Sequence, residues 1–356
     1  RLREVRRAAS LGGGKKKIAR EHEKGKLTAR ERIALLLDPD SFQEFNMLIK
    51  HNVGAPGDGI VIGHGTIDGR TVCIFAHDAT VFGGSQGYYH GRKVYKIHEM
   101  ALEMGVPLIG LNDSPGARVI RPELAGSDDP YRISDEKSAG VVFYINTRCS
   151  GAVPQISAIL GNCTGGSVYS PALTDFIFMV DNLSRMFITG PRVIKSVLGE
   201  EISMEKLGGA RVHCQVSGVA DFRVGSEADC MRGIRRLLSY LPQNWREKPP
   251  FKEMGDPDDR FSEKLERIVP LQPTKGYDMH LVIEDIVDGG EFLEVKPEFA
   301  AEIIIGFARL GGYSVGIVAN QPRVRAGCMS MDSSDKQARF IRFCDAFNIP
   351  LLLLVD

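Results

Sequence analysis

No stretch of this sequence approaches the roughly 18 consecutive apolar residues needed to span a bilayer, and its first residues lack the apolar core of a secretory signal. The expected location is therefore the cytoplasm. Net charge is lacking too: 45 Lys and Arg stand against 45 Asp and Glu, so no overall field draws the chain to nucleic acid or to a membrane. The seven cysteines (73, 149, 163, 214, 230, 328 and 344) contain no C-x-x-C pair. Neither a disulfide framework nor a zinc site is suggested, and the thiols are expected to be reduced and buried. The eight histidines, at 22, 51, 64, 77, 90, 98, 213 and 280, form no H-x-x-x-H or H-E-x-x-H pair, so no metal is expected, and no P-loop occurs.

What is present begins with a basic arm. The first 33 residues, "RLREVRRAASLGGGKKKIAREHEKGKLTARERI", are rich in Lys and Arg at helical spacing, which reads as a solvated helix or docking arm rather than an anion-binding patch. The chain of 356 residues is long enough for about two domains.

It also repeats itself. Residues 62–113 read as strand, strand, helix, strand: a hairpin turns at Asp68-Gly69, a helix presents Val94, Ile97, Ala101 and Met104 on one face, and an apolar strand runs from Val106 to Leu111. Residues 308–356 fall on 65–113 without a gap, a step of 243, and eleven of those 49 positions are identical, against roughly three expected by chance. Earlier in each copy "SFQEF" (41–45) recurs as "GEFLEV" (290–295), with a seven-residue shift absorbed by "HNVGAPGDG". The closing "NIPLLLLVD" is the counterpart of "GVPLIGLND" and reads as a strand buried on both faces. The expected domains are residues 1–248, a Pro-rich and charged junction at 249–285, and 286–356 as the start of a second, incomplete copy.

Chemistry is expected at the strand ends, where open α/β sheets place their sites. "SPGAR" (114–118) leaves one strand. "GNCTGGS" (161–167) joins a strand at 155–160 to a helix from about Gly166. Adjacent glycines at a helix start can aim two N–H groups at one developing oxyanion, or they can simply permit close packing. "VFGGSQG" (81–87) contains the Gly-x-Ser-x-Gly pattern of a nucleophile elbow, but no histidine is tied to Ser85 by any signal. A scaffold that offers glycine N–H groups and no triad suits chemistry that passes through an enolate.

Taken together, "GKLTARERIALLLDPDSFQEF", "TVFGGSQG", "NDSPGAR", "SGAVPQISAILGNCTGGSVYSPALTDFIFMV", "MFITGPRVIKSVLGE", "LGGARVHCQVSGVAD" and "VANQPRVRAGCMSMDSSDKQARFIRFCDAFNIPL" closely resemble the carboxyltransferase subunits of biotin-dependent acyl-CoA carboxylases, such as propionyl-CoA carboxylase β chains. They also resemble the related subunits of sodium-pumping decarboxylases for methylmalonyl-CoA and glutaconyl-CoA. The resemblance implies an α/β fold of two tandem crotonase-like domains (the ClpP/crotonase superhelix), the second truncated, in a hexamer built as a trimer of dimers with active sites between subunits. It implies an acyl-CoA thioester on the N-domain and biotin, brought by a biotin carboxyl carrier or biotin carboxylase subunit, on the C-domain of another subunit. In such enzymes carboxybiotin releases CO2, the freed biotin nitrogen takes the α-proton, and the enolate attacks CO2.

By motif, Gly165 and Gly166 match the oxyanion pair. Phe82, Gly83, Gly84, Ser114, Gly116, Ala117, Arg118 and Thr164 line the acyl pocket, and Asn320, Gln321, Ala326 and Gly327 face the partner's site. The second oxyanion pair is expected past Asp356, so the chain alone is expected to be inactive. Pro115, where many carboxylases carry Gly, and the polar stretch "RPELAGSDDPYRISDEKS" (121–138) depart from the pattern; "NDSPGAR" has the form of the decarboxylase branch, whose membrane link is indirect. A hydratase or thioesterase would need a buried acid on a single-domain pocket, which the repeat argues against. A non-catalytic CoA-binding or assembly subunit is the reading outside enzymes.

Overall fold

The computed structural model describes residues 1–118, 139–257, 259–272 and 275–356; the polar stretch 121–138 lies outside them. By its internal contacts the chain divides into two compact units, Arg1–Val212 with Arg223–Arg235, and His213–Phe222 with Arg236–Asp356. None of the described helices is long and apolar enough to cross a membrane.

The first unit opens with helices α1 (Leu2–Ser10), α2 (Lys15–Glu23) and α3 (Ala29–Leu36). A capping box starts α3: Thr28 Oγ1 accepts the Glu31 N–H, and the Glu31 carboxylate accepts the Thr28 N–H at 2.7 Å, which satisfies two donors the helix cannot. Strands β1 (Gln43–Phe45), β2 (Ile60–Ile67) and β3 (Arg70–His77) pair antiparallel. The turn residues Asp68 and Gly69 have φ of 50° and 76°, the left-handed pair that a two-residue hairpin needs. Asp38 fixes this turn by accepting both of their N–H groups, at 3.0 and 2.9 Å.

Helix α4 (Tyr88–Met104) crosses to β4 (Leu108–Ser114), which runs parallel to β3. Val94, Ile97 and Ala101 pack with Ile62, Cys73 and Phe75 in the core, and full burial of one such large side chain contributes about 1.5–3 kcal/mol. Met104, expected on the same face, is 46 % exposed. It is the last helical residue, and Gly105 at φ 63° turns the chain away immediately after it. Then come α5 (Val142–Cys149), β5 (Gln155–Thr164), α6 (Tyr169–Ala172), β6 (Phe176–Val180), β7 (Arg185–Phe187), α7 (Pro191–Leu198) and α8 (Met204–Gly208), followed by α9 (Ala210–Gln215), β8 (Phe222–Val224) and α10 (Glu227–Leu238), each of which runs across a boundary between the two units. The sheet order is β1-β2-β3-β4-β5-β6-β8, with β7 paired to β5. β4 and β6 are buried at every position, as parallel strands covered on both faces are.

The second unit holds α11 (Leu265–Ile268), α12 (Met279–Ile286), β9 (Leu293–Val295), β10 (Ile303–Leu310), β11 (Tyr313–Asn320), α13 (Met331–Ala346) and β12 (Leu351–Leu354). Its sheet order is β12-β11-β10-β9. β10 and β11 pair antiparallel and β11 and β12 parallel, the arrangement of β2, β3 and β4. Asp288 accepts the Gly311 and Gly312 N–H groups at 3.0 and 2.7 Å, as Asp38 does in the first unit. The buried amine of Lys93 donates to the carbonyls of Gly57 and Ile60, and that of Lys336 to Phe299 and Ile303.

One expectation changes. Six cysteines are buried, but Cys328 is exposed, because it leaves the turn at Arg325–Gly327 ahead of α13 rather than packing in a sheet.

Candidate active site

Two neighbouring parallel strands, β4 and β5, deliver the loops of interest side by side. They pair through Leu108↔Gln155 and onward to Ser114↔Cys163, with an irregularity between Asn112 and Ser114. β4 continues through Asn112, Asp113 and Ser114 rather than stopping at Leu111, and β5 runs to Thr164 rather than to 160. The two strand ends are laced together. Thr164 Oγ1 donates to the Pro115 carbonyl at 2.8 Å, and Ser167 Oγ donates to the Ser114 carbonyl at 3.0 Å while accepting the Thr164 N–H at 3.0 Å. Pro115 thus brings a carbonyl to the site and no N–H.

Gly165 and Gly166 begin a 3₁₀ turn, Gly165–Val168, with Thr164 at its N-cap. N–H groups at the start of such a turn have no partner within it, and that of Gly166 finds no acceptor among the described residues. Gly116 lies against this turn: a Cβ there would sit 2.5 Å from the Thr164 carbonyl oxygen and 3.5 Å from the Gly166 nitrogen. Only glycine permits that approach.

The third loop closes the group. Phe82, Gly83 and Gly84 are successive left-handed residues with φ of 52°, 64° and 73°. Gln86 and Ala117 form a bridge in which Gln86 N–H donates to Gly116 and Arg118 N–H to Gln86, at 2.9 and 2.8 Å. The Arg118 guanidinium donates to Asp58 Oδ1 (2.7 Å), Ser85 Oγ (3.1 Å) and the Ser85 carbonyl (2.8 Å), and stacks over Phe82 at 4.3 Å. It is therefore a clamp between loops rather than a free cation. Ser85 Oγ donates to the Phe82 carbonyl at 2.8 Å; among the described residues no histidine bonds to it, so it has no base.

Phe82, Gly83, Gly84, Ser114, Gly116, Ala117, Arg118, Thr164, Gly165 and Gly166 are thus brought together in the first unit. Asn320, Gln321, Ala326 and Gly327 share one loop of the second. There Asn320 Nδ2 donates to the Gly327 carbonyl at 2.8 Å, and Gln321 Nε2 donates to Asp278 Oδ1 at 2.8 Å while its Oε1 accepts the Met279 N–H at 3.3 Å. Arg325, Ala326 and Gly327 repeat the left-handed turn of Phe82–Gly84, with φ of 50°, 51° and 69°.

Two features escaped the sequence reading. Arg32, inside the supposedly solvated arm, is 1 % exposed and bonds Glu227 and Asp113, while Lys26 pairs with the same Asp113 at 2.5 Å. A helix-spaced basic run carries no sign that one of its members is buried. The other is a cavity of about 20 Å³ bordered by Gly166, His77 and His90; these histidines are 13 residues apart and match no spacing motif.

A model of the carboxyl transferase domain matches residues 20–356. The chain is 52 % identical over 363 residues to a propionyl-CoA carboxylase carboxyltransferase subunit of Haloferax mediterranei, across all of this chain and 68 % of that protein. It is 50 % identical to the methylmalonyl-CoA decarboxylase subunit alpha of Veillonella parvula, across all of this chain and 69 % of that one. Among solved structures it matches the transcarboxylase 12S hexamer core, determined with methylmalonyl-coenzyme A and methylmalonic acid bound, at a TM-score of 0.92 and 44 % identity, over 100 % of this chain and 68 % of the other. The chain spans about two thirds of the length of these relatives. Sequence and fold agree along the whole chain, and it belongs to the carboxyl transferase domain family.

Proposed function

We propose that this chain moves a carboxyl group between biotin and the α-carbon of a short acyl-CoA, with propionyl-CoA and methylmalonyl-CoA as the acyl pair. The observation that carries the reading is the unclaimed N–H of Gly166, held in place by Gly116, Thr164 and Ser167. Removing the α-proton of a thioester moves negative charge onto its carbonyl oxygen. A fixed N–H aimed there stabilises that charge more than it stabilises the neutral carbonyl, which is what lowers the barrier. When bound, biotin supplies the carboxyl group and the base, so this chain needs no nucleophile, in keeping with the engaged hydroxyl of Ser85. Its own residues hold the thioester oxygen, orient the acyl chain and exclude water.

In this reading residues 1–248 form the acyl-CoA side and 286–356 begin the biotin side, in a cytoplasmic hexamer served by a biotin carboxyl carrier. The amides of Asn320 and Gln321 are committed to Gly327 and Asp278, so this loop meets biotin through the backbone of Ala326-Gly327. A second direction, decarboxylation as in the Veillonella relative, is supported by the "NDSPGAR" form of the loop that carries Pro115. The full-length protein with a biotinyl carrier and carboxyl-labelled methylmalonyl-CoA should move label to the carrier, and glutaconyl-CoA should do so less well. Acyl-CoA binding without label transfer from any acyl-CoA would leave the non-catalytic, CoA-binding reading in its place.

A further inference from the structure

The two units share one ion-pair arrangement but build it from different side chains. A step of 250 carries Thr28, Arg30 and Glu44 onto Asp278, His280 and Glu294, and the step of 243 carries Asp78 onto Gln321. In the first unit Thr28 caps α3, and the Arg30 guanidinium donates twice to Glu44, at 3.2 and 2.7 Å, with Asp78 3.8 Å away. In the second unit Asp278 caps α12, and a histidine takes the place of the arginine. His280 bonds Glu294 through Nε2 at 3.0 Å and Asp278 through Nδ1 at 2.8 Å. A carboxylate only accepts, so both ring nitrogens donate and the ring is an imidazolium. The bond to Glu294, with that to Asp278 assisting and burial opposing, raises it to about 9. Arginine keeps its charge at any pH a protein tolerates; the histidine in the matching place can lose it.

Asp278 is also where the loop before α13 is fastened. Its Oδ1 accepts Gln321 Nε2 at 2.8 Å, which lies 3.2 Å from His280 Nδ1, and its Oδ2 accepts Arg323 Nη1 at 3.1 Å. Gln321 Oε1 accepts the Met279 and Arg323 N–H groups at 3.3 and 3.4 Å. Gln321 and Arg323 lead directly into the left-handed turn Arg325-Ala326-Gly327. The root of that turn is therefore tied to the start of α12, and His280 ties this knot to Glu294 of β9. The charges around the ring are those of Asp278, Glu294 and Arg323, and Lys336 of α13 lies within the field of Glu294. The Lys336 amine is committed to the Phe299 and Ile303 carbonyls, so it does not replace the ring as a donor to Glu294. Once the ring is neutral, one of its two carboxylates meets a lone pair instead of a proton, and the knot loosens.

We propose that His280, as an imidazolium, is a positioning residue for the Arg325-Ala326-Gly327 turn: it locks Asp278 between α12 and Gln321, and its deprotonation frees the turn and weakens biotin binding there. The biotin half of this statement rests on the carboxyltransferase reading, which places biotin at the Ala326-Gly327 backbone; the clamp does not. Acyl-CoA binding on the first unit is spared, because the matching cation there is Arg30.

Two measurements on the full-length protein test the halves separately, each with His280→Gln, which removes the charge, and His280→Arg, which makes it permanent as at Arg30. Hydrogen–deuterium exchange of the peptide spanning residues 320–330 needs no substrate, and comparing proteins at one pH cancels the intrinsic rate. Wild type and His280→Arg should exchange alike at neutral pH and part as pH rises through about 9. His280→Gln should exchange about 10-fold faster throughout, the factor of one charge-assisted hydrogen bond. Equal exchange in all three proteins overturns the clamp. In the transfer assay KM for biotin should rise about 10-fold with pH in wild type, be raised at every pH in His280→Gln and stay low in His280→Arg, while KM for propionyl-CoA stays level. An alkaline rise shared by His280→Arg, or a KM for propionyl-CoA that moves in step with that for biotin, overturns the positioning role. If wild type transfers no carboxyl group at any pH, the carboxyltransferase reading falls while exchange still decides the clamp.

Discussion

Replacing Arg32 with methionine should undermine the site from beneath. The guanidinium makes two bonds to Glu227 at 2.8 Å, one to Asp113 at 3.1 Å and one to the Leu160 carbonyl at 2.7 Å, all in a buried setting. Methionine keeps much of the apolar volume and removes the charge. Asp113 would retain Lys26 at 2.5 Å, so the loss falls on Glu227, which is 6 % exposed and among the described residues would keep the Leu27 N–H alone, at 3.3 Å. Breaking a buried pair from one side costs about 3–5 kcal/mol, a large share of a typical stability of about 5–15 kcal/mol. Urea unfolding should show a lower midpoint at unchanged slope. Adding Glu227→Gln, which removes the stranded charge, should restore at least half of the loss in a double-mutant cycle. Acyl-CoA affinity should fall along with stability, because Arg32 also holds the Leu160 carbonyl of β5, the strand that leads to Thr164 and Gly166. A cost under about 1 kcal/mol for Arg32→Met, or no recovery in the double variant, would refute the reasoning, since an uncompensated buried charge cannot be that cheap.

At Gly166 a Cβ would meet only Gln86 Oε1, at 3.9 Å, so Gly166→Val should leave Tm almost unchanged yet lower kcat about 100-fold or more by obstructing the oxyanion donor; unchanged kcat would remove Gly166 from the mechanism. His280 bonds Glu294 at 3.0 Å and Asp278 at 2.8 Å, and the bond to Glu294, followed by that to Asp278, raises it to about 9 against the opposing effect of burial. Its folded value lies above its unfolded one, so its stabilisation is complete below pH of about 6.5 and is lost as pH rises through about 9; His280→Gln should flatten urea midpoints over that window, and an unchanged slope would sink the assignment. Of seven thiols only Cys328 should react with a thiol reagent in the native state, because the others are buried and burial pushes Cys73, Cys149 and Cys163 up to about 12; two fast-reacting thiols would contradict the packing. Ala326→Gly should raise stability by about 0.5–1 kcal/mol, the relief of a left-handed alanine less the extra freedom of the unfolded chain, and a lower unfolding midpoint would show that the turn relaxes in solution.

The parts that were legible in the sequence obey short-range rules. Asp68-Gly69 turns a hairpin because both residues tolerate positive φ, and the glycine loops stand at strand ends because the chain must turn tightly there. The seven-residue shift between the copies is equally physical. Asp38 and Asp288 each clamp their hairpin turn, and the step from one to the other is 250, whereas the turns themselves are 243 apart. Illegible were pairings made across distance: Arg32 meets Asp113 and Glu227 across 81 and 195 residues, and no local pattern says that a cation in a basic helix is the one to be buried. Compensated exchange hid further likeness. Cys73 on the strand packs in the cluster with Ala101 on the helix, whereas at the equivalent positions Gly316 faces Cys344, the site of a Cβ lying 2.7 Å from its sulfur; the thiol has changed sides and the volume is kept.

The turn after each hairpin bears on function most directly. Two of its three residues are glycines in Phe82-Gly83-Gly84, but in Arg325-Ala326-Gly327 the same left-handed backbone is imposed on arginine and alanine, at about 1–2 kcal/mol for each such residue. Strain of that kind persists only where the surroundings enforce it. In the first unit the enforcement is visible, for Gly84 abuts the Asp113 carbonyl oxygen, which would lie 2.5 Å from a Cβ, and Arg118 clamps the loop to Asp58. In the second unit Asn320 plays the corresponding part by bonding the Gly327 carbonyl. A backbone shape kept while its residues change is what a site made of main-chain groups requires, and it is the reason to look for the chemistry of both units in N–H and C=O groups rather than in side chains.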